Sequence, residues 1–99
     1  MRQPNPVFSD EYRVIREAVI AARRDAGLSQ AQLAGRLGKA KSHVALIERG
    51  QRRVDSLELY RIARCLGAEP DLLFARIARR LDAITQSPGL RWAAQIAAE

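Results

Sequence analysis

GLSQAQLAGRLGKAKSHVALIERG, residues Gly27 to Gly50, decides the fold. Ser29-Gln30-Ala31-Gln32 is a capping box: serine at the cap and glutamine three residues on, each able to satisfy the other's backbone donor. The helix it opens runs to about Leu37, buries Leu33, Ala34 and Leu37, and stops at Gly38. A second short helix follows, about Lys41 to Glu48, with Val44 and Ile47 as its apolar pair and Gly50 as its stop. Ala40 stands at its cap and has no side-chain acceptor, so this helix start is weakly specified.

The flanking chain supplies three more helices. Residues 10–26 carry Ile15, Ala18, Val19 and Ala22 at the spacing of one helix face, with Asp10 and Glu11 at the positive end and Gly27 as the stop. Asp55-Ser56-Leu57-Glu58 reads as a second capping box. Its helix runs to Leu66, turns Leu59, Ile62, Ala63 and Leu66 inward, and ends at Gly67. Pro70 suits the first turn of a fifth helix, whose stripe is Leu73, Ile77, Leu81 and Ile84. Ser87-Pro88-Gly89 breaks that helix, and Leu90 to Glu99 is a tail with a short turn around Trp92 and Ile96. No segment alternates as a strand would. The expected class is all-α with five helices and an extended C-terminal helix and tail. The expected organisation is an arm over 1–9, a domain over 10–75, and an extension over 76–99.

Ninety-nine residues make one domain and leave little room for an enclosed active site. One Cys and one His exclude an internal disulfide and a structural zinc site, so no metal or cofactor is expected. There is no Gly-rich phosphate loop, no Ser/His/Asp set and no carboxylate pair in an apolar setting, and an enzyme is not expected. No apolar run approaches the roughly 18 residues of a membrane span, and Met1 to Asp10 lacks an apolar signal core. The expected compartment is the cytoplasm, at the nucleoid.

The formal charge is +6, from 17 Lys and Arg against 11 Asp and Glu. Its distribution is uneven. Residues 28–53 hold Arg36, Lys39, Lys41, Arg49, Arg52 and Arg53 against Glu48 alone. A concentrated basic window between neutral or acidic segments suits a polyanion. Two short helices joined at a glycine, with the basic window on them, form a helix-turn-helix pattern. The second helix of such a pair enters the major groove while the first lies across the backbone, and cations around them release counterions from phosphate.

The run Gly27 to Gly50, followed by LELYRIARCLGAEPDLLF (Leu57 to Phe74), resembles the Xre family of lambda-repressor-like DNA-binding domains. The GLSQ start, the LA pair, the glycine turn, the IERG end and the L-x-x-I-A-x-x-L-G-x-x-P-D-x-L module stand in the family's order. The resemblance covers roughly residues 12–75 and implies a five-helix fold, usually a dimer on a two-fold-related operator. It maps the reading helix onto Ala40 to Arg49, with Lys41, Ser42, His43 and Leu46 at base-reading positions. Lys41 suits a guanine, Ser42 a base or phosphate, and Leu46 only an apolar contact such as a thymine methyl. Gln30 matches a phosphate-binding glutamine, and Arg49, Arg52 and Arg53 fall where the family contacts phosphate or the minor-groove edge. Lys39, in the same basic window, is a further expected phosphate contact. Arg23 and Glu48 occupy positions that form a structural salt bridge.

The remaining features have bland and sharp readings. His43 suits packing or a pH-sensitive DNA contact. Cys65 reads as a small buried hydrophobe, with a redox-sensing thiol as the alternative. Arg76, Arg79 and Arg80 form a second basic cluster, a solvated face or a further phosphate or dimer rim. The stripe on the fifth helix continues past Phe74, so a homodimer through Ile77, Leu81, Ile84 and Trp92 is expected; the alternative folds the stripe back on the first helix. The function expected is a sequence-specific transcriptional regulator, a dimeric repressor on an inverted repeat of double-stranded DNA. The competing function is an antitoxin or other interaction protein, whose tail from about Pro88 neutralises a protein partner.

Overall fold

Both halves of the first capping box close: Ser29 Oγ accepts from the Gln32 N–H at 3.1 Å, and Gln32 Oε1 accepts from the Ser29 N–H at 2.8 Å. The computed structural model in which they close describes residues 10–85. It contains five helices: α1 (Asp10–Asp25), α2 (Gln30–Leu37), α3 (Lys41–Glu48), α4 (Ser56–Cys65) and α5 (Pro70–Ile84). Three residues link α2 to α3. Gly38 makes that turn possible at φ 70°, a left-handed conformation that a Cβ disfavours. Its successor's N–H, on Lys39, donates to Ala34 O at 2.9 Å and closes the end of α2.

Every helix contributes to one core. Val19, Leu33, Val44, Ile47, Ile62 and Ile77 are its largest fully buried side chains. Each such burial is worth about 1.5–3 kcal/mol against exposure. The α1 stripe is broader than its spacing suggests: Tyr12 and Val14 are buried, and Ile15 is only partly so. Tyr12 has a polar reason to turn inward. Its hydroxyl accepts from the Val54 N–H at 2.7 Å and ties α1 to the segment after α3.

Two expectations require correction. Asp55 does cap α4, its Oδ1 accepting from the Glu58 N–H at 2.8 Å, but Glu58 does not return the bond. Its carboxylate goes to His43 instead. The interface expected on α5 is also largely internal. Ile77 is fully buried in the core, Leu81 packs against it, and α5 lies along α1. An apolar stripe facing α1 finds its cover within the monomer, and the alternative reading of that stripe holds for these two residues. Ile84 alone of the described three is exposed. Trp92, the arm and the tail lie outside the described residues. α5 runs unbroken past residue 75 and packs on the core as far as Leu81.

Two of the three arginines on α5 face acids of α1. Arg80 Nη2 stands 2.8 Å from Glu17 Oε1, and Arg76 Nη1 stands 4.0 Å from Asp25 Oδ2. The hydrogen bond from Arg80 holds the Glu17 carboxyl below the usual carboxylate range. A depressed folded value contributes stability above the unfolded pKa and loses it as pH falls through the folded one. Glu17→Gln should therefore lower Tm slightly near neutral pH, with the difference from wild type closing as the pH falls below the usual carboxylate range. Thermal melts at neutral and strongly acid pH check this, and both proteins shifting in parallel would remove the pair from the stability account. Among the described residues no helix is long and apolar enough to cross a membrane.

Candidate nucleic-acid interface

The eight residues of α3 divide by face. Val44, Ile47 and Glu48 are buried; Lys41 and Ser42 are exposed; Ala45 and Leu46 are half-buried; Arg49, the residue after the helix, is exposed. Lys41, Ser42, Ala45, Leu46 and Arg49 thus follow the spacing of one outward face. Ala45 was not legible as part of it, because a methyl side chain signals neither reading nor packing; its place four residues after Lys41 was the available clue.

The start of this helix is open. Ala40 makes no side-chain cap bond, and no acid stands in the first turn. The N-terminal pole, with its positive partial charge and unsatisfied N–H groups, is therefore marked by Lys41 alone. At the other end Glu48 sits at the negative pole, against the usual preference.

What holds α3 is tertiary. Glu48 Oε2 accepts from Arg23 Nε at 2.6 Å, and Oε1 accepts from Arg23 Nη2 at 3.0 Å. Gln30 Nε2 donates to the same Oε1 at 2.9 Å, and Arg16 Nη1 donates to the Glu48 carbonyl at 3.2 Å. Arg23 and Glu48 are both buried, and the hydrogen bond to Glu48 raises the Arg23 pKa further. One carboxylate thereby joins α1, α2 and α3. Gln30, expected on phosphate, has one amide N–H committed to this network, leaving its second N–H and the N-terminal end of α2 for an anion.

The other expected site residues separate. Lys39, Arg52 and Arg53 are exposed. Among the described residues Lys39, Lys41, Arg49 and Arg52 enter no ion pair. Arg53 lies 5.8 Å over the Tyr12 ring, a cation–π contact that anchors the end of the basic window to α1. His43 does not join the outward face. Its Nε2 stands 2.6 Å from Glu58 Oε2, with both side chains mostly buried. Cys65 is half-buried; its thiol donates to Arg36 O at 3.4 Å, and Arg36 Nη1 donates to Cys65 O at 2.8 Å. This reciprocal pair joins the ends of α2 and α4. No group of metal-ligating side chains occurs among the described residues.

Comparison with known proteins agrees with this geometry. The Helix-turn-helix family model matches residues 19–73. An XRE-family like protein from Pseudomonas syringae pv. tomato str. DC3000 is 33% identical, with 76% of this chain and 87% of that chain covered at a TM-score of 0.65. The restriction-modification controller protein C.AhdI from Aeromonas hydrophila is 35% identical over 66% of this chain and 99% of that one, at a TM-score of 0.57. The clp gene regulator ClgR from C. glutamicum shares the fold at 22% identity, covering 79% of this chain and 95% of that one with a TM-score of 0.64. No curated relative matches the chain. With two short helices around the Gly38 turn, an outward α3 face beginning at Lys41, and this similarity over most of its length, the chain belongs to the Xre family of helix-turn-helix DNA-binding transcriptional regulators.

Proposed function

We propose that the protein is a homodimeric repressor that reads an inverted repeat in double-stranded DNA through the major groove. One observation carries the reading: α3 turns Lys41 and Ser42 outward from an uncapped, positive helix end while buried Glu48 fixes its other end. Lys41 offers donors to guanine O6 and N7, Ser42 reaches a base or phosphate, and Ala45 and Leu46 present apolar surface to a thymine methyl. Lys39, Arg49, Arg52 and Arg53 contact phosphate on either side, and the α2 end with Gln30 contacts the backbone. His43 is left out of this reading set because Glu58 engages its ring. Dimerisation draws on apolar side chains that remain exposed: Leu57 and Tyr60 on α4, and Leu72, Phe74 and Ile84 on α5. A bound dimer represses by occluding a promoter, which needs no catalysis and no effector domain.

Selection from a random duplex pool at physiological salt tests this. Recovery of an inverted repeat with half-sites about 34–36 Å apart, one helical turn, supports it. Enrichment of no sequence overturns it. Transcription from a promoter overlapping the recovered site should fall on addition of protein. Variants sort the contacts. Lys41→Ala should cost about 1–3 kcal/mol of binding and relax one base position, whereas Arg52→Ala should weaken all sequences alike and reduce the salt slope by about one. Titrations of the selected and a scrambled duplex at several salt concentrations check both, and identical behaviour of the two variants would refute the sorting.

A further inference from the structure

The start of α4 departs from its own local rule, and the departure is directed at α3. A glutamate three residues after a helix cap ordinarily returns its carboxylate to the cap N–H. Glu58 has Asp55 as its cap partner, yet its Oε2 lies 2.6 Å from His43 Nε2. The two side chains are 13% and 18% exposed, so the contact is largely shielded from water. A bond fifteen residues apart in sequence has replaced a local one.

The place of this contact on α3 matters. Glu48 tethers one end of the helix to α1 and α2. Val44 and Ile47 bury its inner face, but apolar packing is non-directional. His43 precedes Glu48 by five residues, which is about 7.5 Å along the axis and about 140° around it. Two directional polar tethers leaving the helix on different sides oppose both rotation about its axis and tilt. A single tether opposes neither fully. Lys41 and Ser42 lie within two residues of the His43 tether, so a small rotation there moves their side chains relative to any base edge.

We propose that Glu58 is a specificity-determining positioning residue. By holding the His43 imidazole against α4 it keeps that ring off the DNA-facing surface and sets the rotation of the first turn of α3, on which Lys41 and Ser42 are presented. This rests on the DNA reading proposed above. Glu58 itself touches no base in this scheme.

The test runs wild type, Glu58→Ala, Glu58→Gln and His43→Ala through the same random-duplex selection, with Tm measured for each. Glu58→Gln keeps an acceptor for a histidine N–H and should recover the wild-type site. Glu58→Ala should shift the preference at the base pairs facing the first turn of α3 and bind the wild-type site roughly tenfold more weakly, the scale of one side-chain–base contact. His43→Ala should shift it in the same way, which also serves if Glu58→Ala does not fold. Both alanine variants recovering the wild-type site with unchanged affinity overturns the proposal. So does a shift in His43→Ala with none in a folded Glu58→Ala, which makes His43 a direct reader. A wild type that enriches nothing overturns the DNA reading and this inference with it, whereas a wild-type site shared by all four proteins overturns this inference alone.

Discussion

Arg23→Ala should destabilise the domain by about 3–5 kcal/mol, the scale of breaking a buried ion pair from one side. Arg23 supplies a donor to each oxygen of Glu48, at 2.6 and 3.0 Å. Without it a carboxylate only 6% exposed keeps a single amide donor, from Gln30. The substitution also removes the bond from Arg23 Nη1 to Leu28 O at 2.8 Å, which holds the turn between α1 and α2. Domains of this size have about 5–15 kcal/mol in total, so the loss is a large fraction. Urea unfolding checks it: the midpoint should fall with little change in slope. Replacing both partners by apolar residues, Arg23→Met with Glu48→Leu, should recover much of the loss, because no uncompensated charge then stays buried. A single-variant cost below about 0.5 kcal/mol would mean that the pair behaves as a surface contact.

Ile77→Ala should cost about 2–5 kcal/mol of folding stability, as large-to-small substitutions in a core do. Ile77 is fully buried in the packed body of the monomer. Its loss should therefore appear equally at every protein concentration. A subunit-interface role would instead make the loss concentration-dependent. Ile84→Ala is the comparison. That side chain is 51% exposed and is among those proposed for dimerisation, so its truncation should cost little at low concentration and more as the concentration rises. Unfolding curves across a hundredfold range of concentration separate the two residues. An Ile77→Ala midpoint that moves with dilution more than wild type does would return this residue to an interface.

Local chemistry made the frame readable. The Ser29–Gln32 box and the Gly38 stop are short-range signals, and helix periodicity picks out Leu33, Ile47 and Ile62 as core without knowledge of the fold. Side chains whose partners lie far along the chain were harder to read. Glu58 carried a correct local signal for a capping box, and a histidine fifteen residues earlier outcompeted it. The same contact explains why His43, on the right helix and near the right face, stands apart from Lys41 and Ser42. Ile77 and Leu81 showed a sound apolar stripe, but a stripe does not say what covers it, and α1 does. Tyr12 gave no sign that its hydroxyl would meet the Val54 backbone across forty-two residues.

The polarity of α3 has a consequence for how specificity can be moved between proteins. A helix of eight residues with a cation at its positive end, an acid at its negative end and no side-chain cap has no means of standing alone. As a free peptide it should be unstructured, and grafted onto a host lacking the counterparts of Arg23, Gln30 and Arg16 it should bring its acid into a site with no donor. The transferable unit is the helix together with its anchors on α1 and α2. Exchanges are compatible with the frame at the outward positions Lys41, Ser42, Ala45 and Leu46, whereas Glu48 can change only in concert with residues on two other helices.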